Sequence, residues 1–146
     1  LFAISIALKS KDEIVSGLIF DPIKNEMFFA EKENGAFFNN HRVRVSKKND
    51  LKDCLFATGG KNEKELNFPY RKSGCAALDM AYVAVGRYDG YFQKDVNLWD
   101  IAAGIILVKE AGGLISNIDL SVNKNIKIIA SSTDINSKLL EKLTNF

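Results

Sequence analysis

The first third of the chain alternates short apolar stretches with short polar turns, a pattern typical of an antiparallel β-meander. The turns are rich in Asp, Asn, Gly and Lys, and Pro22 removes a backbone donor from one of them. Because the connections are short, we expect neighbouring strands to pair in sequence order. The pattern predicts five strands, over residues 2–8, 14–20, 26–31, 36–38 and 42–45.

The second part of the chain contains apolar runs long enough for helices. Residues 74–85 form the first predicted helix, with Ser73 as its N-cap and Gly86 at its end. Residues 98–111 form the second, which is apolar on nearly every face and is therefore expected to be buried. Residues 135–143 form a last, amphipathic helix, for which Ser132 or Thr133 is the predicted N-cap.

Short strands are predicted between these helices, over residues 54–58, 88–93, 114–118 and 126–130, and residues 61–72 are predicted to be a loop. A meander followed by alternating strands and helices predicts a layered α/β architecture. We expect one partial domain, with the meander in residues 1–46 and an α/β portion in residues 54–146.

Composition narrows the classes of protein that fit this pattern. The chain has 146 residues, is 47% hydrophobic and carries a net charge of +2, as is ordinary for a cytoplasmic globular domain and too weakly basic to predict direct binding of nucleic acid or a membrane. Cys54 and Cys75 form no CxxC pair, so neither a zinc site nor a disulfide framework is predicted. Because Leu1 leads directly into a predicted strand, we expect the chain to be a piece of a longer protein.

Asp100 is the most informative polar residue, because it lies in the first turn of the predicted buried helix 98–111. It follows Trp99, the single tryptophan of the chain. Such a carboxylate can cap the helix by accepting backbone N–H bonds, which is its commoner role. It can also project from a rigid helix as a metal ligand. The residues by themselves favour capping.

Residues 99–104, followed by residues 110–113, resemble the C-terminal signature of the inositol monophosphatase family. The resemblance extends upstream to residues 74–91 and, more weakly, to the meander, so it covers nearly the whole chain. It implies an inositol-monophosphatase-like layered α/β sandwich, of which this chain forms the C-terminal part.

The resemblance also implies a function. Members of this family are Mg²⁺-dependent phosphatases that hydrolyse small phosphate monoesters with a metal-activated water. Asp100 matches a metal ligand of the family, which favours the ligand interpretation over capping. The matched substrate-binding positions are Gly74, Cys75, Ala76 and Gln93. The implied substrate is inositol monophosphate or a related sugar or polyol phosphate, and the intact protein is expected to be a homodimer, with Arg71 at a subunit contact.

Three departures limit these implications. The N-terminal metal-binding motif of the family has no counterpart here, since Asp21-Pro22-Ile23 continues with Lys24 and lacks the second Asp. We therefore expect the chain by itself to be catalytically inactive. Gln93 stands where inositol-cleaving members carry Glu, and residues 61–72 are shorter than the matching stretch in relatives.

Some bacterial relatives act as accessory factors that bind the transcription machinery independently of catalysis, and this remains the alternative function. Other polar residues have simpler interpretations. His41 and Asp95 are predicted turn residues, and Asp79 and Asp89 are predicted to hold backbone groups or Arg87. The basic cluster in residues 42–48 is predicted to be a solvated edge.

Overall fold

The computed structural model describes residues 1–60 and 67–144. Its first sheet is the predicted meander, in which each strand is antiparallel to the next. The strands are β1 (Ile4–Ser10), β2 (Glu13–Asp21), β3 (Glu26–Glu31), β4 (Gly35–Phe38) and β5 (His41–Val43). The last strand ends two residues earlier than predicted, because the Val45 N–H donates to the Ala111 carbonyl instead of to the sheet.

The second sheet is mixed, with the strand order β7-β6-β8-β10-β9. Its strands are β6 (Phe56–Thr58), β7 (Tyr70–Arg71), β8 (Gly90–Val96), β9 (Leu114–Ile115) and β10 (Ile126–Ser131). The prediction of a loop over residues 61–72 is wrong for β7, which pairs parallel to β6. Residues 61–66 of that prediction lie outside the described residues.

The helices are α1 (Ala76–Ala84), α2 (Leu98–Glu110) and α3 (Asn136–Lys142), and a 3₁₀ turn spans Leu51–Asp53. Helices α1 and α2 lie between the two sheets, since one core cluster combines side chains from both sheets with these helices. Helix α3 covers the other face of the second sheet. Alternation along β8 explains both contacts, because Tyr91 faces α1 and α2 whereas the next residue, Phe92, faces α3.

The helix ends agree only in part with the predicted caps. Gly86 and Gly112 follow α1 and α2 with φ of +73° and +85°, as predicted for helix-ending glycines. Ser73 is not the N-cap of α1, which begins two residues later than predicted with Cys75 in that position. For α3 the N-cap is Ile135, without a side-chain bond, so the prediction of Ser132 or Thr133 is also wrong.

Close backbone approach fixes α2 between its neighbours. A Cβ atom added to Gly17 of β2 would lie 2.9 Å from both Cα and the carbonyl oxygen of Ala103. On the opposite side, a Cβ atom on Gly104 would lie 2.6 Å from the Cβ of Met80 in α1. The missing side chains therefore allow α2 to contact the first sheet and α1 more closely than any larger residue permits.

The outer face of the first sheet is apolar as well. On β1, Ile4, Ile6 and Leu8 point away from the helices and are 51–61% exposed. Both faces of the first sheet are thus apolar, but the described residues cover only the face that packs against the helices. Within the described part of the chain, no helix has the length and apolarity needed to cross a membrane.

Replacing Gly17 with Ala is expected to destabilise the chain by about 1–3 kcal/mol, because the new methyl group meets the backbone of α2. In an unobstructed strand the same change would stabilise slightly, by about 0.5–1 kcal/mol. Urea unfolding measures the difference, and Ser16→Ala, on the outer face of the same strand, is the control. An unchanged or higher urea midpoint for Gly17→Ala would show that the close approach is not obligatory.

Candidate functional site

The parallel pairing of β6 and β8 directs the carboxyl ends of both strands toward one edge of the second sheet, with β6 ending beside the first half of β8. Thr58, at the end of β6, pairs with Phe92 of β8. A short connection joins α1 to the start of β8, and α2 begins two residues after β8 ends. The N-termini of both helices therefore lie at this edge, which we call the carboxyl edge. Crevices outside the carboxyl ends of strands are where open α/β sheets usually bind ligands.

Contacts at the carboxyl edge join the turn after β6 to Gln93 and to the start of α1. A Cβ atom on Gly59 would lie 2.1 Å from Oε1 of Gln93, so this glycine leaves the space that the Gln93 side chain fills. The same Oε1 atom accepts a hydrogen bond from the Tyr91 hydroxyl. The Lys72 ammonium donates to the carbonyl of Gly60 at 2.9 Å, which holds the segment before α1 against this turn.

Asp100 is partly exposed in the first turn of α2 and does not cap the helix. Its Oδ2 atom accepts from the side-chain amide of Asn97 at 3.4 Å, and Asn97, the N-cap residue, makes no capping bond with its own side chain. Among the described residues no backbone N–H bonds this carboxylate, whereas its first-turn position still suits the positive end of the helix dipole. The carboxylate remains available at the carboxyl edge, as the ligand interpretation requires.

Ala76 and Asp100 each lie one helical turn before a pair of residues at which α1 and α2 approach closely. Met80 of α1 contacts Gly104 of α2, and both helices start at the carboxyl edge. One turn toward the N-terminus on the same faces, the corresponding residues are Ala76 and Asp100. We call residues 74–76 the pocket segment; Gly74 is exposed, and Cys75 and Ala76 are half-buried.

The structure thus brings the predicted site residues Gly74, Cys75, Ala76, Gln93 and Asp100 to one edge of the fold. Their roles in binding substrate and metal stay predictions. The positive ends of two helix dipoles meet there, an arrangement that favours an anion such as a phosphate group.

The described residues provide little for a metal ion besides Asp100. Within residues 1–60 and 67–144, no group of three or more His, Cys, Asp or Glu side chains is placed to hold one. Mg²⁺ is commonly held by one or two carboxylates together with substrate phosphate oxygens and water. Asp100 suits one such position, and the described part of the chain does not build a site for several ions.

The prediction that Asp79 holds a backbone group or Arg87 is wrong. It is 1% exposed in α1, and neither carboxylate oxygen has a hydrogen bond of normal geometry among the described residues. The predicted partner, Arg87, instead pairs with Glu26 through two bonds of 2.7 Å. Burial raises the pKa of Asp79 to about 6, and the side chain of Ser73 acts in the opposite direction.

Several other predicted roles can be compared with the structure. Asp89 is structural as predicted, because it accepts from the Leu55 N–H at 2.7 Å and from Lys48 at 3.0 Å. His41 and Asp95 are exposed, but the prediction that they lie in turns is wrong, because His41 is the first residue of β5 and Asp95 lies in β8 with a φ of +56°. Burial raises the pKa of the Cys54 thiol to about 11, so this cysteine is a poor nucleophile.

The basic cluster binds groups of the chain itself. Arg42 donates to the Asn34 carbonyl at 2.9 Å, and Arg44 donates to the Glu110 carbonyl at 3.2 Å. Together with the Lys48–Asp89 ion pair, these bonds engage three of the four cationic side chains of residues 42–48 within the fold.

Comparison with known proteins identifies the family. The sequence model of the inositol monophosphatase family matches residues 1–145. The chain is 38% identical to the inositol-1-monophosphatase of Caulobacter vibrioides over 97% of its own length and 63% of the relative. It is 35% identical to the Nus factor SuhB of Haemophilus influenzae, over 97% of the chain and 60% of that protein.

Solved structures agree with the sequence comparison. The extragenic suppressor protein SuhB of Bartonella henselae superposes with a TM-score of 0.88 and 41% identity, over 99% of this chain and 64% of that one. The inositol monophosphatase of Anabaena gives the same TM-score, 0.88, at 30% identity. The chain spans somewhat less than two thirds of the length of these relatives. From its matched sequence and its shared layered α/β fold, the chain belongs to the inositol monophosphatase family.

Proposed function

We propose that the whole protein carrying this chain is a Mg²⁺-dependent phosphatase that hydrolyses inositol monophosphate or a related small sugar or polyol phosphate. The observation that supports this proposal is the place of Asp100, whose carboxylate lies in the first turn of α2 and accepts, among the described residues, only from the Asn97 side chain. The names of several relatives, among them inositol-1-monophosphatases, support the same class of reaction.

In this proposal the residues of the chain bind and orient the substrate. When bound, Mg²⁺ would neutralise phosphate charge and provide an activated water molecule. Asp100 would supply one of its ligands. The pocket segment lines the substrate site at the N-terminus of α1, where backbone N–H groups and the helix dipole attract the phosphate or the hydroxyl groups of the substrate.

Gln93 distinguishes this site from one that contains Glu. The Tyr91 hydroxyl already donates to its Oε1 atom, so the Nε2 group is available to donate to an oxygen of the substrate. A glutamate could only accept at this position. The arrangement suits a sugar or polyol phosphate that presents an oxygen acceptor here, and it adds no negative charge beside the phosphate.

The proposal has a cellular and an oligomeric part. We place the whole protein in the cytoplasm and infer that it forms a homodimer. Arg71, which is exposed on the edge strand β7, is the proposed contact residue.

Asp100→Asn in the whole protein is expected to reduce Mg²⁺-dependent phosphate release from inositol 1-phosphate by about 100-fold or more, because the neutral amide is a weak metal ligand. The matched control is Asp95→Asn, an exposed residue two positions after Gln93 whose φ of +56° asparagine tolerates. Phosphate release is measured with and without Mg²⁺, and the difference is the Mg²⁺-dependent activity of each protein. Wild-type protein that releases no phosphate with Mg²⁺ would refute the proposal.

The 146-residue chain by itself is expected to release no phosphate above background, since its described part contributes a single carboxylate to the metal site. The same phosphate assay, at equal molar concentration with the whole protein, checks this. Turnover equal to that of the whole protein would show that the chain already contains a complete site.

A second candidate function is that of an accessory factor that binds the transcription machinery, because several relatives are named Nus factor SuhB at 35–40% identity. Hydrolysis and binding can be separated with Asp100→Asn, which is expected to lose hydrolysis while the tagged whole protein still captures transcription complexes. Absence of capture by the wild-type protein would exclude this function under the conditions used.

A further inference from the structure

The side-chain amide of Gln93 is held in one orientation by the hydroxyl of Tyr91. Alternate residues of a strand point to the same face, so these two side chains of β8 share the face toward α1 and α2. Tyr91 is 0% exposed, and its hydroxyl donates to Oε1 of Gln93. A buried hydroxyl requires a polar partner, which the amide oxygen provides. The oxygen end of the Gln93 amide is therefore turned toward the interior of the fold.

The turn after β6 confines the same oxygen atom. A Cβ atom on Gly59 would overlap Oε1 of Gln93, whereas it would lie 3.1 Å from Nε2. The oxygen is thus the end of the amide that lies closer to Gly59. The missing side chain of Gly59 leaves the space that this orientation of the amide requires.

The backbone that carries both side chains is fixed on two sides. Strand β8 is the central strand of its sheet. Tyr91 pairs with Ala57 of β6 and with Ala130 of β10, and Gln93 pairs with Ile128 of β10. The orientation of the amide therefore depends on the Gln93 side chain and on the groups that contact it.

The nitrogen end of the amide is available to a ligand. Within the described part of the chain, Nε2 of Gln93 donates no hydrogen bond, and it is not among the buried polar atoms that lack a partner. Gln93 itself is half-buried at the carboxyl edge. Because Oε1 is turned toward Tyr91, the group that Gln93 presents to a ligand is a hydrogen-bond donor.

We propose that Tyr91 is a positioning residue, which holds Gln93 so that the site favours phosphate monoesters with a carboxylate at this position over the matching alcohols. A carboxylate only accepts hydrogen bonds, and a bond from Nε2 to a charged acceptor is stronger than one to a hydroxyl. The helix N-termini at the same edge favour the additional negative charge. The selection among substrates rests on the proposed function, whereas the hydrogen bond between Tyr91 and Gln93 does not.

Two phosphate monoesters that differ in one group test this selection. In 2-phosphoglycerate a carboxylate replaces one hydroxymethyl group of glycerol 2-phosphate. The ratio of their kcat/KM values is measured in the whole protein with Mg²⁺. Tyr91→Phe, which frees the amide to rotate, is expected to lower the preference for the carboxylate by about 2- to 10-fold, mainly through KM, as for one hydrogen bond. Gln93→Glu, which repels the carboxylate, is expected to lower it by about 10-fold or more.

Three further variants separate positioning from a general effect on folding. Tyr82→Phe removes the same atom from another buried tyrosine, whose hydroxyl accepts from Lys24 at 2.7 Å, and should leave the substrate ratio unchanged. Gly59→Ala displaces the amide without altering Tyr91 and is expected to lower the ratio as Tyr91→Phe does. In a Gln93→Ala background, Tyr91→Phe should not change the ratio further, because no amide is left to position.

NMR relaxation of the 146-residue chain tests the hydrogen bond without catalysis. The side-chain NH₂ group of Gln93 is expected to have a high ¹⁵N order parameter in wild type, because Oε1 is bonded. Tyr91→Phe and Gly59→Ala should both lower this order parameter. Tyr82→Phe should leave it unchanged.

The proposal is overturned if the Gln93 amide is equally mobile in wild type and Tyr91→Phe, or if Tyr91→Phe leaves the substrate ratio unchanged. An equal fall of the ratio with and without Gln93 would also contradict it, since Tyr91 would then act by another route. If the whole protein hydrolyses inositol 1-phosphate but not 2-phosphoglycerate, the selection is wrong although the proposed function holds. If it hydrolyses none of the three esters while the amide is held as expected, the proposed function fails, and the selection with it, but the positioning of Gln93 by Tyr91 stands.

Discussion

The packing of α2 between two sheets is the constraint on which the rest of the structure depends. The helix contacts β2 through Gly17 and α1 through its own Gly104, and at both places a single added Cβ atom would lie within 3 Å of its neighbours. These close approaches determine how near α2 lies to β2 and α1 and how the helix is rotated about its axis. Since Asp100 is in the first turn of this helix, the same packing determines where its carboxylate lies relative to Ala76 and Gln93.

The candidate site consists of the ends of strands and the N-termini of helices more than of a cluster of charged side chains. Two parallel strands run toward the edge of the second sheet at which two helices begin, and aligned peptide dipoles at helix N-termini favour an anion. The carboxylate of Asp100 and the amide of Gln93 add directional groups to this potential. The chain matches the inositol monophosphatase family over nearly its whole length and spans less than two thirds of the length of its relatives.

Buried carboxylates in this fold fall into two kinds. Asp89 is bonded to Leu55 and Lys48 and joins residues far apart in sequence, as expected of a structural residue. Asp21 is of the same kind, since it accepts the N–H groups of Ile23 and Lys24 and holds the turn between β2 and β3. Asp79 is equally buried but lacks such bonds. In place of such bonds, burial raises the pKa of the Asp79 carboxyl to about 6.

The sequence by itself determined the order and type of most elements, because apolar periodicity and helix-ending glycines act over a few residues. It determined the family, because the residues around Trp99 and Asp100 form a specific signature. It did not determine the strand Tyr70–Arg71, whose two residues gain their conformation from pairing with β6. Nor did the sequence decide whether Asp100 caps α2 or binds a metal ion. It also did not show that Asp89 is hydrogen-bonded whereas Asp79 is not. Those differences depend on which groups from distant parts of the chain meet each carboxylate, and only tertiary packing decides that.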